Sequence, residues 1–159
     1  MTTQGSTNVE NQDAGNAVDQ LNSLLRGEIS AAETYRMAID KVAADSTANA
    51  GLLREIQAEH GRAAQGIRNR IREIGGEASD SSGAWGAWAK TIQGTMNLFG
   101  DTSSLKALKE GEEHGLKDYE AAIPTVDPSS AQLISNQFIP AQRRHIDLLD
   151  QLINSVGKA

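Results

Sequence analysis

Glu28 and Glu112 are acids placed where a helical protein would ordinarily keep apolar residues. Each lies in one of two similar stretches, GEISAAETYRMAI from Gly27 to Ile39 and GEEHGLKDYEAAI from Gly111 to Ile123. Aligned without a gap, they share Gly27/Gly111, Glu28/Glu112, Tyr35/Tyr119, Ala38/Ala122 and Ile39/Ile123. Self-similarity at a fixed offset points to a duplicated supersecondary unit. In each stretch the tyrosine follows the glutamate by two helical turns, so both project from one face. Burying an unpaired carboxylate is costly, so each glutamate needs a partner.

A second related pair supplies candidates. Gln57-Ala-Glu-His60 resembles Gln142-Arg-Arg-His145. In both, glutamine and histidine interrupt an apolar helical stripe three residues apart. Six polar side chains then point toward one core: Glu28, Gln57, His60, Glu112, Gln142 and His145. A carboxylate-bridged two-metal centre in a helix bundle takes one Glu from each of two helices and Glu-x-x-His from each of the other two. This chain has the two lone glutamates and both histidines, but glutamine stands where each Glu-x-x-His motif needs its acid. Two carboxylates and two imidazoles balance one divalent ion better than a bridged pair, and Fe, Mn and Zn all suit such donors. Glu59 and Glu113 flank the stripes, and a modest helix rotation brings either one in. The alternative is a metal-free core, in which Glu28 and Glu112 pair with the two histidines while Gln57, Gln142, Tyr35 and Tyr119 complete the network. His114 falls two positions after Glu112 and faces away from the stripe.

Helices must position these groups. Apolar residues recur at helical spacing over about 17–44, 48–74, 103–122 and 128–156. Gly75-Gly76 ends the second helix, Pro124 stops the third, and Asp127-Pro128 caps the fourth. Pro140 should kink the fourth helix and free the carbonyl of Asn136. Residues 1–15 read as a flexible polar tail, and residues 16–157 as one bundle. Within the bundle, residues 75–103 form a long crossover. Its Trp85, Trp88, Ile92, Met96 and Phe99 define a short amphipathic helix, read as a lid on the bundle or as a surface for a protein partner. The expected fold is all-α: an antiparallel four-helix bundle of the ferritin-like type, built from two hairpins joined by a helix-containing crossover.

Composition narrows the function further. The chain has 159 residues, a net charge of −6, 38% apolar residues and 4% aromatics. The acidic balance argues against nucleic-acid binding. Arg54, Arg62, Arg68, Arg70 and Arg72 are interspersed with Glu55, Glu59 and Glu73, as on a solvated mixed-charge face. There is no cysteine, which excludes disulfides, thiolate metal sites and a cysteine nucleophile. Neither a serine elbow nor a phosphate-binding glycine loop is present, so a hydrolase is disfavoured. No apolar run reaches the length of a membrane span, and the N-terminus lacks the features of a signal peptide, so a cytoplasmic location is expected.

The Glu-to-Tyr spacing of both stretches resembles the first and third helices of the ferritin-like superfamily, of which rubrerythrin is a better-known member. The second-helix ending IREIGGEASDSSG, the Trp-containing connection and EGEEHGLKDYEAAI are more closely similar to a bacterial ferritin-like family of uncharacterised function. The resemblance covers about residues 17–156. It implies a bundle of a group that often holds two iron or manganese ions for ferroxidase, peroxidase, oxygen-activating or iron-storage work. Two functions follow as expectations. One is a metal-dependent oxidoreductase or metal-handling protein built on Glu28, His60, Glu112 and His145, with Tyr35 and Tyr119 beside the metal. The other is a non-enzymatic, stress-related or scaffold bundle acting through the Trp85/Trp88 helix. Assembly into a homo-oligomer is compatible with either.

Overall fold

The computed structural model describes residues 4–42, 47–83, 86, 90 and 101–158. Helix α1 spans Gln4–Val42, α2 Thr47–Glu73 and α3 Asp101–Ala122, which runs into a short 3-10 turn, Ile123–Thr125. Helix α4 is one rod in three parts: Pro128–Leu133, a π-helical turn Ile134–Phe138, and Ile139–Val156. These four helices form the expected all-α, ferritin-like bundle.

Most boundaries follow from local chemistry. Asp127 caps α4, its Oδ1 accepting from the backbone of Ser129 and Ser130 at 3.1 Å each. Helix α2 ends in a Schellman motif: Gly76 N–H donates to Ile71 O at 2.9 Å and Gly75 N–H to Arg72 O at 3.0 Å. Gly75 sits at φ 81°, a left-handed conformation that favours glycine.

Two boundaries differ from the sequence reading. Helix α1 begins at Gln4, within the stretch read as a flexible tail. Residues 12–16 are exposed, and Ala17 is buried. Once a helix is nucleated, each further residue adds a hydrogen bond, and no proline interrupts this run. At the other site, the disturbance read at Pro140 takes the form of the π-helical turn just before it, where Ile139 N–H reaches back to Ile134 O. Trp85 and Trp88 lie outside the described residues.

Contacts between helices fix their directions. Asn22 meets Glu77 while Gln57 meets Ala32, so α1 and α2 are antiparallel. Lys109 pairs with Asp150 while Arg143 pairs with Glu120, so α3 and α4 are antiparallel. Tyr35 reaches Glu112 while Tyr119 reaches Glu28, so α1 and α3 also run oppositely. Helices α2 and α3 therefore run the same way, which a short loop cannot achieve. The connection has to travel the length of the bundle. Its described part runs along α1 from Asn22 to Glu33: Asn22 Nδ2 donates to Glu77 O, Arg26 to Ser79 Oγ, and Ser82 Oγ to Glu33.

The core has three layers. One apolar cluster gathers Leu21, Leu25, Ile67, Ile71, Ile134 and Phe138 with their neighbours. The other gathers Ile39, Leu53, Ile56, Leu105, Leu149 and Leu152. On every helix the polar residues of interest fall in sequence between members of the two clusters. Glu28, His60, Glu112, Gln142 and His145 are all buried in this middle layer. Outside the core, Arg70 departs from the solvated face read for the basic residues of α2. It bonds Asp127 at 2.6 Å, Ser130 Oγ at 2.9 Å and Glu73 at 2.9 Å, tying the end of α2 to the start of α4. Among the described residues, no helix is long and apolar enough to cross a membrane.

Candidate metal centre

Each helix contributes to the middle layer in the places its apolar stripe dictates. Helix α1 brings Glu28 and Tyr35, α2 brings His60, α3 brings Glu112 and Tyr119, and α4 brings Gln142 and His145. The tyrosines cross between the two similar stretches. Tyr35 Oη donates to Glu112 Oε1 at 2.5 Å, and Tyr119 Oη donates to Glu28 Oε1 at 2.5 Å. Burial, reinforced by the accepting carboxylates, pushes both phenols well above their usual range and keeps them neutral donors.

The histidines lie between carboxylates. His60 Nδ1 is 2.7 Å from Glu28 Oε2, and its Nε2 is 2.9 Å from Glu112 Oε1. His145 Nδ1 is 3.3 Å from Glu112 Oε2, and its Nε2 is 2.7 Å from Glu59 Oε2. The two imidazoles meet edge-on with centroids 5.0 Å apart. Burial alone would depress the basicity of His60, but Glu112 and Glu28 outweigh it and raise the imidazole well above its usual value. Burial would likewise raise the Glu112 carboxyl, yet His60 and His145 hold it down at about 2. Glu59 is also lowered: its partial burial opposes this, and its bonds to His145 and Arg144 prevail.

The glutamines behave differently from each other. Gln142 Nε2 donates to Glu112 twice, to the backbone oxygen at 3.0 Å and to the carboxylate. Gln57, the related residue of α2, is only partly buried and turns to the backbone oxygen of Ala32 at 3.2 Å. The sequence reading aimed both at the core. Gly115 of α3 lies under Gln142, where a β-carbon would come within 2.9 Å of Nε2. The corresponding position of α1 is Ala31. Of the two flanking acids, Glu59 reaches His145, whereas Glu113 stays half-exposed at the surface beside Lys109 at 3.6 Å.

Among the described residues, His60, Glu112 and His145 form a group able to hold a metal ion, their ligand atoms all within 4.8 Å of one another. The donor set decides how many ions fit. Gln142 spends its amide NH₂ on Glu112, and Gln57 faces away, so neither serves as a bridging carboxylate. These donors would suit one ion better than a pair: two imidazoles and one carboxylate would hold it, with Glu28 behind His60 and Glu59 behind His145. Every buried side-chain nitrogen and oxygen among the described residues has a hydrogen-bond partner.

Residues 16–125 match a protein family described as a domain of unknown function, DUF2383. The chain belongs to that family. The match ends before α4, so Gln142 and His145 of this DUF2383 chain lie beyond it. The bundle is similar to a crystal structure described as a ferritin-like, diiron-carboxylate protein from Bacillus anthracis str. Ames. The TM-score is 0.68 and the identity 17%, over 89% of this chain and 97% of that one. At that identity the likeness is one of fold. No match is found among curated proteins.

Proposed function

We propose that this DUF2383 chain is a single-ion metalloprotein with an oxidoreductase or metal-handling role. The convergence of buried His60, Glu112 and His145 is the observation that carries the reading. His60 Nε2, His145 Nδ1 and the Glu112 carboxylate are the ligands. Fe(II), Mn(II) and Zn(II) are the candidate ions, and the first two would supply electrons to a small oxidant. The Bacillus anthracis neighbour is described as a diiron protein; the glutamines at 57 and 142 separate this chain from a two-ion centre.

The chain's own residues have defined tasks. Glu28 would accept a hydrogen bond from His60 Nδ1–H and so leave Nε2 facing the centre. Glu59 holds His145 by Nε2 in the same manner. Tyr35 and Gln142 donate to Glu112 and fix its carboxylate plane. The apolar layers above and below close the centre along the bundle axis, and the low-polarity surroundings strengthen the electrostatic contacts between its residues.

The test is metal analysis with titration of Fe²⁺, Mn²⁺ and Zn²⁺ into metal-free protein. One ion per chain is expected, with binding lost in Glu112→Ala and in His145→Ala. Absence of binding in the wild type, or binding unaffected by Glu112→Ala, would overturn the reading.

The second reading is a metal-free polar layer that sets the register of the helices. The complete internal pairing of the buried groups favours it. It expects no rise in melting temperature when any of the three ions is added.

A further inference from the structure

We infer that the ion reaches the centre between α1 and α3, through a cavity opened by glycine in both helices, and not across the α2–α4 face. This rests on the metal-centre reading. A cavity of about 70 Å³ lies between α1 and α3. Its floor is formed by Glu28, Glu112 and His60, and Gly27 and Gly111 stand in its walls. Both glycines lie inside long helices, where glycine costs stability relative to alanine. Packing does not explain Gly27, because a β-carbon there would meet no atom within 4 Å. What the missing side chain leaves is the open space itself.

Charge sets the chemical class admitted, a divalent cation. Glu28, Glu112 and Asp118 line the cavity, no lysine or arginine does, and the three acids outnumber the one buried imidazolium, His60, on its floor. Asp118 lies at the rim beside exposed His114, 3.5 Å away. An approaching cation is drawn inward and an anion is repelled. The opposite face presents the reverse. There Glu59 is clamped between His145 Nε2 at 2.7 Å and Arg144 Nη2 at 2.5 Å. The Arg144 side chain is 52% exposed, so a cation arriving on that side first meets a guanidinium.

The experiment follows Co²⁺ loading of the metal-free full chain by stopped-flow visible absorbance. Gly27→Leu should slow loading about tenfold or more while the final absorbance is unchanged, the signature of a raised barrier with an intact site. Gly27→Ala, whose added methyl has room, should be intermediate and guards against misfolding of the larger variant. Arg144→Gln should load at the wild-type rate. Wild-type rates in both Gly27 variants, or faster loading in Arg144→Gln, would place the route elsewhere and overturn the inference. A wild type that takes up no Co²⁺ overturns the metal-centre reading and the route with it, so the two failures are distinguishable.

Discussion

Gly115 and Gln142 are fitted to each other: a β-carbon at 115 would come within 2.9 Å of the Gln142 amide nitrogen that donates to Glu112. Gly115→Ala therefore displaces Gln142 from Glu112. A hydrogen bond to a charged group is worth about 1.5–3 kcal/mol. Alanine returns about 0.5–1 kcal/mol of helix stability. The net expectation is a destabilisation of about 1–2 kcal/mol, read from urea denaturation of the metal-free protein. A variant as stable as the wild type would show that Gln142 relaxes without loss.

Restoring the missing acids is the complementary experiment. Gln57→Glu combined with Gln142→Glu gives α2 and α4 the Glu-x-x-His pattern of a two-ion centre. The double variant should bind two divalent ions per chain where the wild type binds one, the second ion drawing the acid at 57 inward from its place beside Ala32. Its metal-free form should be less stable, because the new carboxylate at 142 would stand beside Glu112 without a new cation. Metal analysis and thermal denaturation with and without chelator check both outcomes. A stoichiometry that stays at one would mean that something besides the two glutamines prevents a second ion.

The two tyrosines should separate stability from metal affinity. Tyr35→Phe removes a donor to Glu112, and Tyr119→Phe removes one to Glu28. Each should cost the metal-free protein about 1.5–3 kcal/mol, the worth of a bond to a charged group. Only Glu112 is a proposed ligand, so Tyr35→Phe should alter Zn²⁺ affinity in calorimetric titration more than Tyr119→Phe does. Equal effects would argue that Glu28 is a ligand too.

The pH dependence of the metal-free protein follows from His60 and Glu112. The folded protein raises His60 well above 6.5, so its contribution is complete below that pH and is lost as pH rises through the raised value. The folded protein lowers Glu112 from 4.5 to about 2, so its contribution is complete above 4.5 and fades as pH falls toward 2. Urea midpoints measured in chelator should be highest between these limits and fall on both sides. In His60→Gln the alkaline decline should flatten; if it persists unchanged, another group governs it.

Much of the centre was legible because helical period and residue type agree. Glu28, His60, Glu112 and His145 each interrupt an apolar stripe in phase, and all four are buried in one layer. The fold followed from helix lengths and from the long connection between α2 and α3. What was not legible depends on neighbours that sequence spacing does not encode. Gln57 and Gln142 occupy related positions, yet Gln142 lies over Gly115 and bonds Glu112 while Gln57 bonds the backbone oxygen of Ala32. Glu59 could be flagged as lying beside the stripe, but only the packing of α2 against α4 brings it to His145 and Arg144. His114 gave no signal, since its place at the cavity rim arises from the gap between two helices. Pro140 marked a disturbance without specifying its form.

That disturbance divides α4 into two pieces with separate duties. Ser130, Ile134, Phe138 and Gln142 are all buried and each is four residues from the next. In an unbroken α-helix every four-residue step overshoots the turn by about 40°, so three steps would carry Gln142 about 120° round from Ser130. The π-helical turn at Ile134–Phe138 takes up the difference. The first piece is moored to α2 by Arg70, and the second aims Gln142 and His145. The turn fixes the rotation between mooring and aim. Deleting one of the exposed residues Ser135, Asn136 or Gln137 would remove that rotation and swing both site residues off target while leaving every ligand in the sequence.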